Sequence, residues 1–164
     1  MPKTKTRTKG FSLIELLIVV AIILIIAALA VPSFMHSRMV ANESAAVAAL
    51  RIVNTAQISF SSAYPTVGFA STLAVLGDSG AGCTPPSETN ACLIDEGLAG
   101  GQRSGYTFTL SNVTGTPSST YNVIAAPNVV NYSGVRYFCS YSDAVVRVSM
   151  AAITTCDGSV SPQP

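Results

Sequence analysis

Hydrophobic and polar positions divide the chain into three stretches with different periods. From Leu16 to Val31 sixteen consecutive residues are apolar, LLIVVAIILIIAALAV, and between Lys9 and His36 the one formal charge is Glu15. Such a run has no polar face. Phe11 to Met35 covers 25 residues, enough to cross a bilayer. From Ser33 to about Ala63 a helical beat takes over. Ala46, Leu50, Val53, Phe60 and Tyr64 recur at helical spacings, and Ala49 and Ala56 widen the stripe. Glu43, Ser44, Arg51, Asn54, Thr55 and Ser59 are assigned to the opposite side, and Gln57 interrupts the apolar one. Pro32 can bend a helix without ending it. The two stretches together predict one helix of about fifty residues, roughly 75–80 Å long. Its first half is apolar all round and its second half amphipathic. Tyr64-Pro65 stops it, because proline pushes its predecessor out of the α region.

Beyond Pro65 the period shortens. Ser71 to Leu76 predicts one helical turn closed at Gly77, and Gly77 to Gly105 reads as a Gly/Pro/Ser/Thr-rich connector. Four strands follow: Tyr106–Leu110, Tyr121–Ala125, Val135–Tyr141 and Val145–Met150, the last two joined as a hairpin through Ser142-Asp143. The tail from Ala151 to Pro164 is irregular. The expected fold class is α+β, a long N-terminal helix packed on a C-terminal antiparallel sheet.

Charge and composition narrow the function. Of the 164 residues 10% are charged and 49% hydrophobic, with a mean hydropathy of +0.47. That is too apolar for a disordered chain. The formal charge of +1 conceals a split. Lys3, Lys5, Arg7 and Lys9 are the charges of the first ten residues, whereas past Gly10 five Arg face eight acids and there is no further Lys. A nucleic-acid partner driven by phosphate contacts is therefore not expected.

Cys83, Cys92, Cys139 and Cys156 all lie downstream of the apolar run. Behind an export segment an even number reads as two disulfides in an oxidising compartment. Three pairings are possible, and sequence proximity favours Cys83–Cys92 with Cys139–Cys156. Each closure would add roughly 2–3 kcal/mol by the loop-entropy model. None of the intervals suits zinc.

The N-terminus admits three readings: a secretory signal peptide cleaved at Ala28-Leu29-Ala30, a plain transmembrane helix, or a short basic leader removed at Gly10. Glu15 separates them. An acid in an apolar span costs up to about 2.5–3.5 kcal/mol at its centre and less near its end, and the segment offers no basic partner. Cleavage after Gly10 would give Phe11 a free α-amino group, positive near neutral pH, one helical turn before Glu15. The pair could form within one chain or between staggered neighbours.

The stretch Lys9-Gly-Phe-Ser-Leu-Ile-Glu-Leu-Leu-Ile-Val-Val-Ala-Ile-Ile resembles the class III leader and N-terminal helix of type IV pilins and of their relatives, the type II secretion pseudopilins. Gly10, Phe11, Glu15 and the apolar run match, and Pro32 falls where many members carry a helix-bending proline. The resemblance implies a leader at 1–10, a transmembrane and assembly helix at 11–35, an amphipathic half at 36–64 and a globular head at 65–164. It implies cleavage between Gly10 and Phe11 and N-methylation of Phe11 by a prepilin peptidase. Glu15 and Pro32 are then assembly residues. The implied partners are membrane lipid before assembly, an inner-membrane assembly platform and further copies of the chain. The implied location is the bacterial inner membrane, head outward, and then a pilus or a periplasmic pseudopilus. A type IV pilin is the first expectation, a secretion pseudopilin the second, and an anchored periplasmic domain that never polymerises the third.

No catalytic residue, cofactor or metal ligand is expected. His36 is the single histidine, read as an interfacial polar residue rather than as the base of a triad. A phosphate-binding P-loop is impossible without a lysine past Lys9. Asp143 and Asp157 fall short of the oxygen count calcium needs, and Asp95-Glu96 are adjacent, so they do not converge as an acid/base pair.

Overall fold

Fifty-one residues without a glycine, Leu13 to Ala63, form one helix, α1, that carries Pro32 in its interior. The structure, a computed structural model, describes residues 11–78, 83 and 85–163. They divide into two units, Met1–Ser37 and Arg38–Pro164. In the first unit every described residue belongs to α1 or to the two residues before it, and the large apolar side chains from Leu13 to Phe34 are exposed. Pro32 has no N–H for the Ala28 carbonyl, the gap a proline leaves in a helical ladder.

The second unit has a core of its own. Ala46, Leu50, Val53 and Phe60 of α1 pack in one cluster with Tyr106, Phe108, Tyr121, Val123, Ala125 and Phe138 of the sheet. α1 ends as Tyr64 donates its N–H to the Phe60 carbonyl and Pro65 follows. Five antiparallel strands lie in sequence order: β1 (Gln102–Arg103), β2 (Tyr106–Gly115), β3 (Ser118–Pro127), β4 (Tyr137–Tyr141) and β5 (Arg147–Ser149). The register sets Phe108 against Ala125, Val123 against Ser140, and Phe138 against both Ala125 and Val148. This buries the alternate residues on the face toward α1, as the period of two requires. On the other face Cys139 is bonded to Cys156 of the tail. Backbone bonds hold the tail along β5: Val148 donates to the Ser161 carbonyl and Gln163 to the Val146 carbonyl.

Several boundaries differ from the sequence expectation, each for a local reason. β2 and β3 run on past the apolar alternation to Gly115 and Ser118, where the hydroxyls of Thr114 and Thr120 meet at 2.6 Å. β4 begins at Tyr137 instead of Val135, because the N–H groups of Val135 and Arg136 donate to the Glu43 carboxylate. β5 begins at Arg147 instead of Val145, whose N–H is bonded to Asp143. α2 (Leu73–Leu76), capped by Thr72, is the turn expected before Gly77. The connector is less plain than its composition suggests, since it holds β1 and also α3 (Glu96–Ala99), capped by Asp95, whose carboxylate accepts from the Leu98 N–H at 3.1 Å. Both turns bury leucines, Leu73, Leu76 and Leu98, in the core.

Candidate functional site

The N-terminal residues of α1 form the first candidate. The Ser12 carbonyl accepts from the N–H groups of Glu15 at 3.1 Å and Leu16 at 3.2 Å, which starts the helix. Glu15 thus lies in the first turn, where a carboxylate is favoured by the helix dipole, by about 0.3–1 kcal/mol at an exposed site. That is a second use for the acid which its isolation among apolar residues does not reveal. The Ser-x-x-Glu spacing of a capping box could have signalled it. Phe11 is exposed at the start of the described chain. Gly10, on the other side of the expected cleavage, lies outside the described residues. Among those described, the ion pairs join Arg103 to Asp95, Arg136 to Glu43 and Arg147 to Asp143, and Glu15 has no part in them. From Leu13 onward the helix is long and apolar enough to cross a membrane.

The second unit holds three buried polar links that fix α1 to the sheet and loops. Glu43 is 5% exposed. One carboxylate oxygen accepts from the N–H groups of Val135 and Arg136 at 2.9 and 3.1 Å, and the other from the Arg136 guanidinium at 2.7 Å. Burial pushes this carboxyl up, but the Val135 N–H and the bonds and charge of Arg136 outweigh it and hold it below the usual carboxylate value. Asn54 gives its amide to the Ser140 hydroxyl at 2.9 Å and to the Ala144 carbonyl at 3.1 Å, and accepts from the Tyr121 hydroxyl at 3.0 Å. Burial, helped by the charge of Asp143, pushes the Tyr121 phenol up to about 12, which keeps its donor proton in place. Gln57 exchanges two bonds with the backbone of Ala70, at 2.8 and 3.1 Å.

The expectation that Glu43 and Asn54 face away from the core is therefore wrong. The spacing Glu43, Val47, Leu50, Asn54, Gln57 already runs along one helical face, and only polarity argued against burial. Each is tolerated because its hydrogen-bonding capacity is met. Ser44, Arg51, Thr55 and Ser59 do lie exposed.

The remaining site residues sort simply. Cys83 is bonded to Cys92 and Cys139 to Cys156. His36 is exposed on α1. Asp143 and Asp157 are committed to protein donors. Asp143 pairs with Arg147, whose guanidinium also lies 4.3 Å over the Tyr141 ring, and Asp157 accepts from the backbone and hydroxyl of Ser159. Among the described residues no group of three or more His, Cys, Asp or Glu could hold a metal ion.

The first comparison with known proteins bears on the first unit. A family model described as the prokaryotic N-terminal methylation motif matches residues 5–31. The type IV major pilin protein PilA of Myxococcus xanthus (strain DK1622) is 50% identical over 54 residues. The chain thus carries a prokaryotic N-terminal methylation motif and shares a segment with a type IV major pilin. The stretch shared with the Myxococcus pilin is 33% of this chain and 24% of that relative, so the likeness covers about a quarter of the relative's length. No solved structure matches the chain significantly. The matched motif contains Phe11, Glu15 and most of the exposed apolar face, and it stops at residue 31, before the unit with its own core.

Proposed function

We propose that the chain is the structural subunit of an extracytoplasmic helical filament, a type IV pilin without enzymatic activity of its own. A prepilin peptidase cuts it between Gly10 and Phe11 and methylates the new amine. Residues 11–35 hold it in the inner membrane, head outward, until an assembly platform moves it into a bundle of copies. The observation that carries this reading is the all-round exposure of the apolar side chains from Leu13 to Phe34 with Glu15 as their one charge. Side chains of that kind must be covered by lipid or by other copies, and a filament core lets one replace the other. Such a contact is head-to-tail and does not close, so it propagates. The description of the Myxococcus relative as a major pilin favours a pilus over a secretion pseudopilus.

Glu15 supplies the test. With the amine of a neighbouring copy as its partner, it fixes the axial register as each subunit enters. Glu15→Gln keeps the shape and removes the charge. Filament yield is expected to fall tenfold or more, the change from about 1.4 kcal/mol per step. Membrane-bound subunit and a mature start at methylated Phe11 should persist, as shown by mass spectrometry. Normal filament yield from correctly processed Glu15→Gln protein would end the proposed role of the charge. A mature start at Val31 would end the pilin reading altogether.

A further inference from the structure

A groove runs along the exposed side of α1 within the second unit. Ile52, Thr55, Ala56 and Ser59 of the helix and Leu93 of the connector enclose about 300 Å³, and Arg51 lines its N-terminal end. The walls are largely apolar, and Ile52 and Leu93 remain 39% and 41% exposed. The cation is unmatched. Arg103, Arg136 and Arg147 are paired inside the chain, whereas among the described residues the Arg51 guanidinium meets no acid. An apolar trough with one lone positive charge suits an otherwise uncharged segment that carries a single carboxylate.

The connector presents a segment of that kind. The Cys83–Cys92 bond closes a loop in which Ser87 and Asn90 exchange backbone bonds, the Ser87 N–H donating at 2.9 Å and the Asn90 N–H at 3.1 Å. Glu88 and Thr89 are the two-residue tip of this turn, and both are exposed. The Ser87 and Thr89 hydroxyls meet at 3.2 Å, and Pro85-Pro86 precede them. From Cys83 to Cys92 Glu88 is the single formal charge. It too has no ion-pair partner among the described residues, so within one chain Arg51 and Glu88 do not meet. A turn already held by a disulfide and two prolines loses little conformational freedom on docking.

The overall charge favours a second copy as the occupant. Past Gly10 five Arg face eight acids, so copies repel one another on average, and an unmatched arginine is where a neighbour's acid is welcome. We infer that the Glu88 turn of one copy seats in the Arg51–Ser59 groove of another. The inference rests on the reading of the chain as a filament subunit, and it gives the second unit a contact of its own between copies. Groove and turn are different patches, so the contact is heterologous and runs on from copy to copy.

Past Lys9 the chain has no lysine, so Arg51→Lys keeps the charge and adds the single side-chain amine of that region. A carbodiimide then bonds this amine to whichever carboxylate touches it. Sheared filaments of Arg51→Lys protein should give cross-linked dimers on a denaturing gel, with peptide mapping that joins position 51 to Glu88. Adding Glu88→Gln should remove that dimer. In the otherwise unaltered chain, Arg51→Glu and Glu88→Arg should each lower filament yield by up to about fivefold, the share of one exposed ion pair, and together restore it. A link to Glu96 or any other acid, a link to Glu88 within one copy, or no link in filaments that form overturns the inference and leaves the filament reading standing. A double reversal no better than the single ones overturns it as well. Failure of the unsubstituted chain to form filaments removes that reading, and this inference with it.

Discussion

The two halves of α1 are made by the same backbone and stabilised by different means. From Leu13 to Phe34 the apolar side chains point into open space, whereas from Glu43 to Phe60 one stripe is buried and even its polar members are bonded. A buried apolar stripe needs only its own chain. A helix that is apolar all round needs other molecules, and its stability belongs to the assembly or the bilayer. Function and fold are thus separated along one element: substitutions in the first half should alter association, and those in the second half the folding of the head.

The largest effect that could break this division comes from the core. Phe60 is fully buried and Leu24 exposed. Phe60→Ala should destabilise the head by about 3–5 kcal/mol, read by urea unfolding of the detergent-solubilised chain with tyrosine circular dichroism. Leu24→Ala should leave that transition within about 0.5 kcal/mol of the parent. A matching loss from Leu24→Ala would mean that the halves are not independent. Next comes the Cys139–Cys156 bridge, which spans a sequence separation of 17. Replacing both residues by Ala should cost about 3 kcal/mol in the same assay and leave the insertion of residues 11–35 unchanged.

Asn54→Ala sharpens the comparison further. It strands the Tyr121 hydroxyl inside the core, at a cost of about 1–3 kcal/mol, whereas Thr55→Ala on the exposed side should change stability little. The smallest effect is electrostatic. The folded Glu43 carboxyl titrates below the ordinary glutamate value of 4.5, so its contribution is present above that pH and is lost as pH falls through the lower, folded value. Asp143 behaves the same way, because Arg147 and the Val145 N–H outweigh its burial. Acid titration of the head should therefore show falling stability below about pH 4.5. Glu43→Gln should reduce that slope without abolishing it, by about 1 kcal/mol, since the Arg136 partner is partly exposed and screened. An unchanged slope would show that the Glu43 clamp holds the loop by shape alone.

What the sequence made legible follows the same division. The apolar run, Pro32 and the Tyr64-Pro65 stop are signals carried by neighbouring residues, and α1 ends where they put it. The core alternation of β2, β3 and β4 was also readable, because one face of each strand is buried. The polar extensions to Gly115 and Ser118 were not, since their pairing is set by the strand opposite. Glu43 and Asn54 were misassigned because their partners lie more than sixty residues away, and local polarity cannot show a bond to Ser140 or Arg136. Glu15 stood out at once, since an acid among apolar residues needs no partner in view to be noticed.

The tail strapped along β5 has a consequence for how copies of the chain meet. An open sheet edge is a template on which any other extended chain can pair, and crowding makes that pairing hard to avoid. Here residues 161–163 occupy the β5 edge, and the Cys139–Cys156 bond keeps them from leaving. At the opposite edge β1 is two residues long, and β2 loses its regular register between Ser111 and Thr114, where Asn112 takes a left-handed turn. Copies of the chain at high local density thus offer one another little backbone to grasp, and in the proposed filament growth by the helix would not compete with clumping by the sheet.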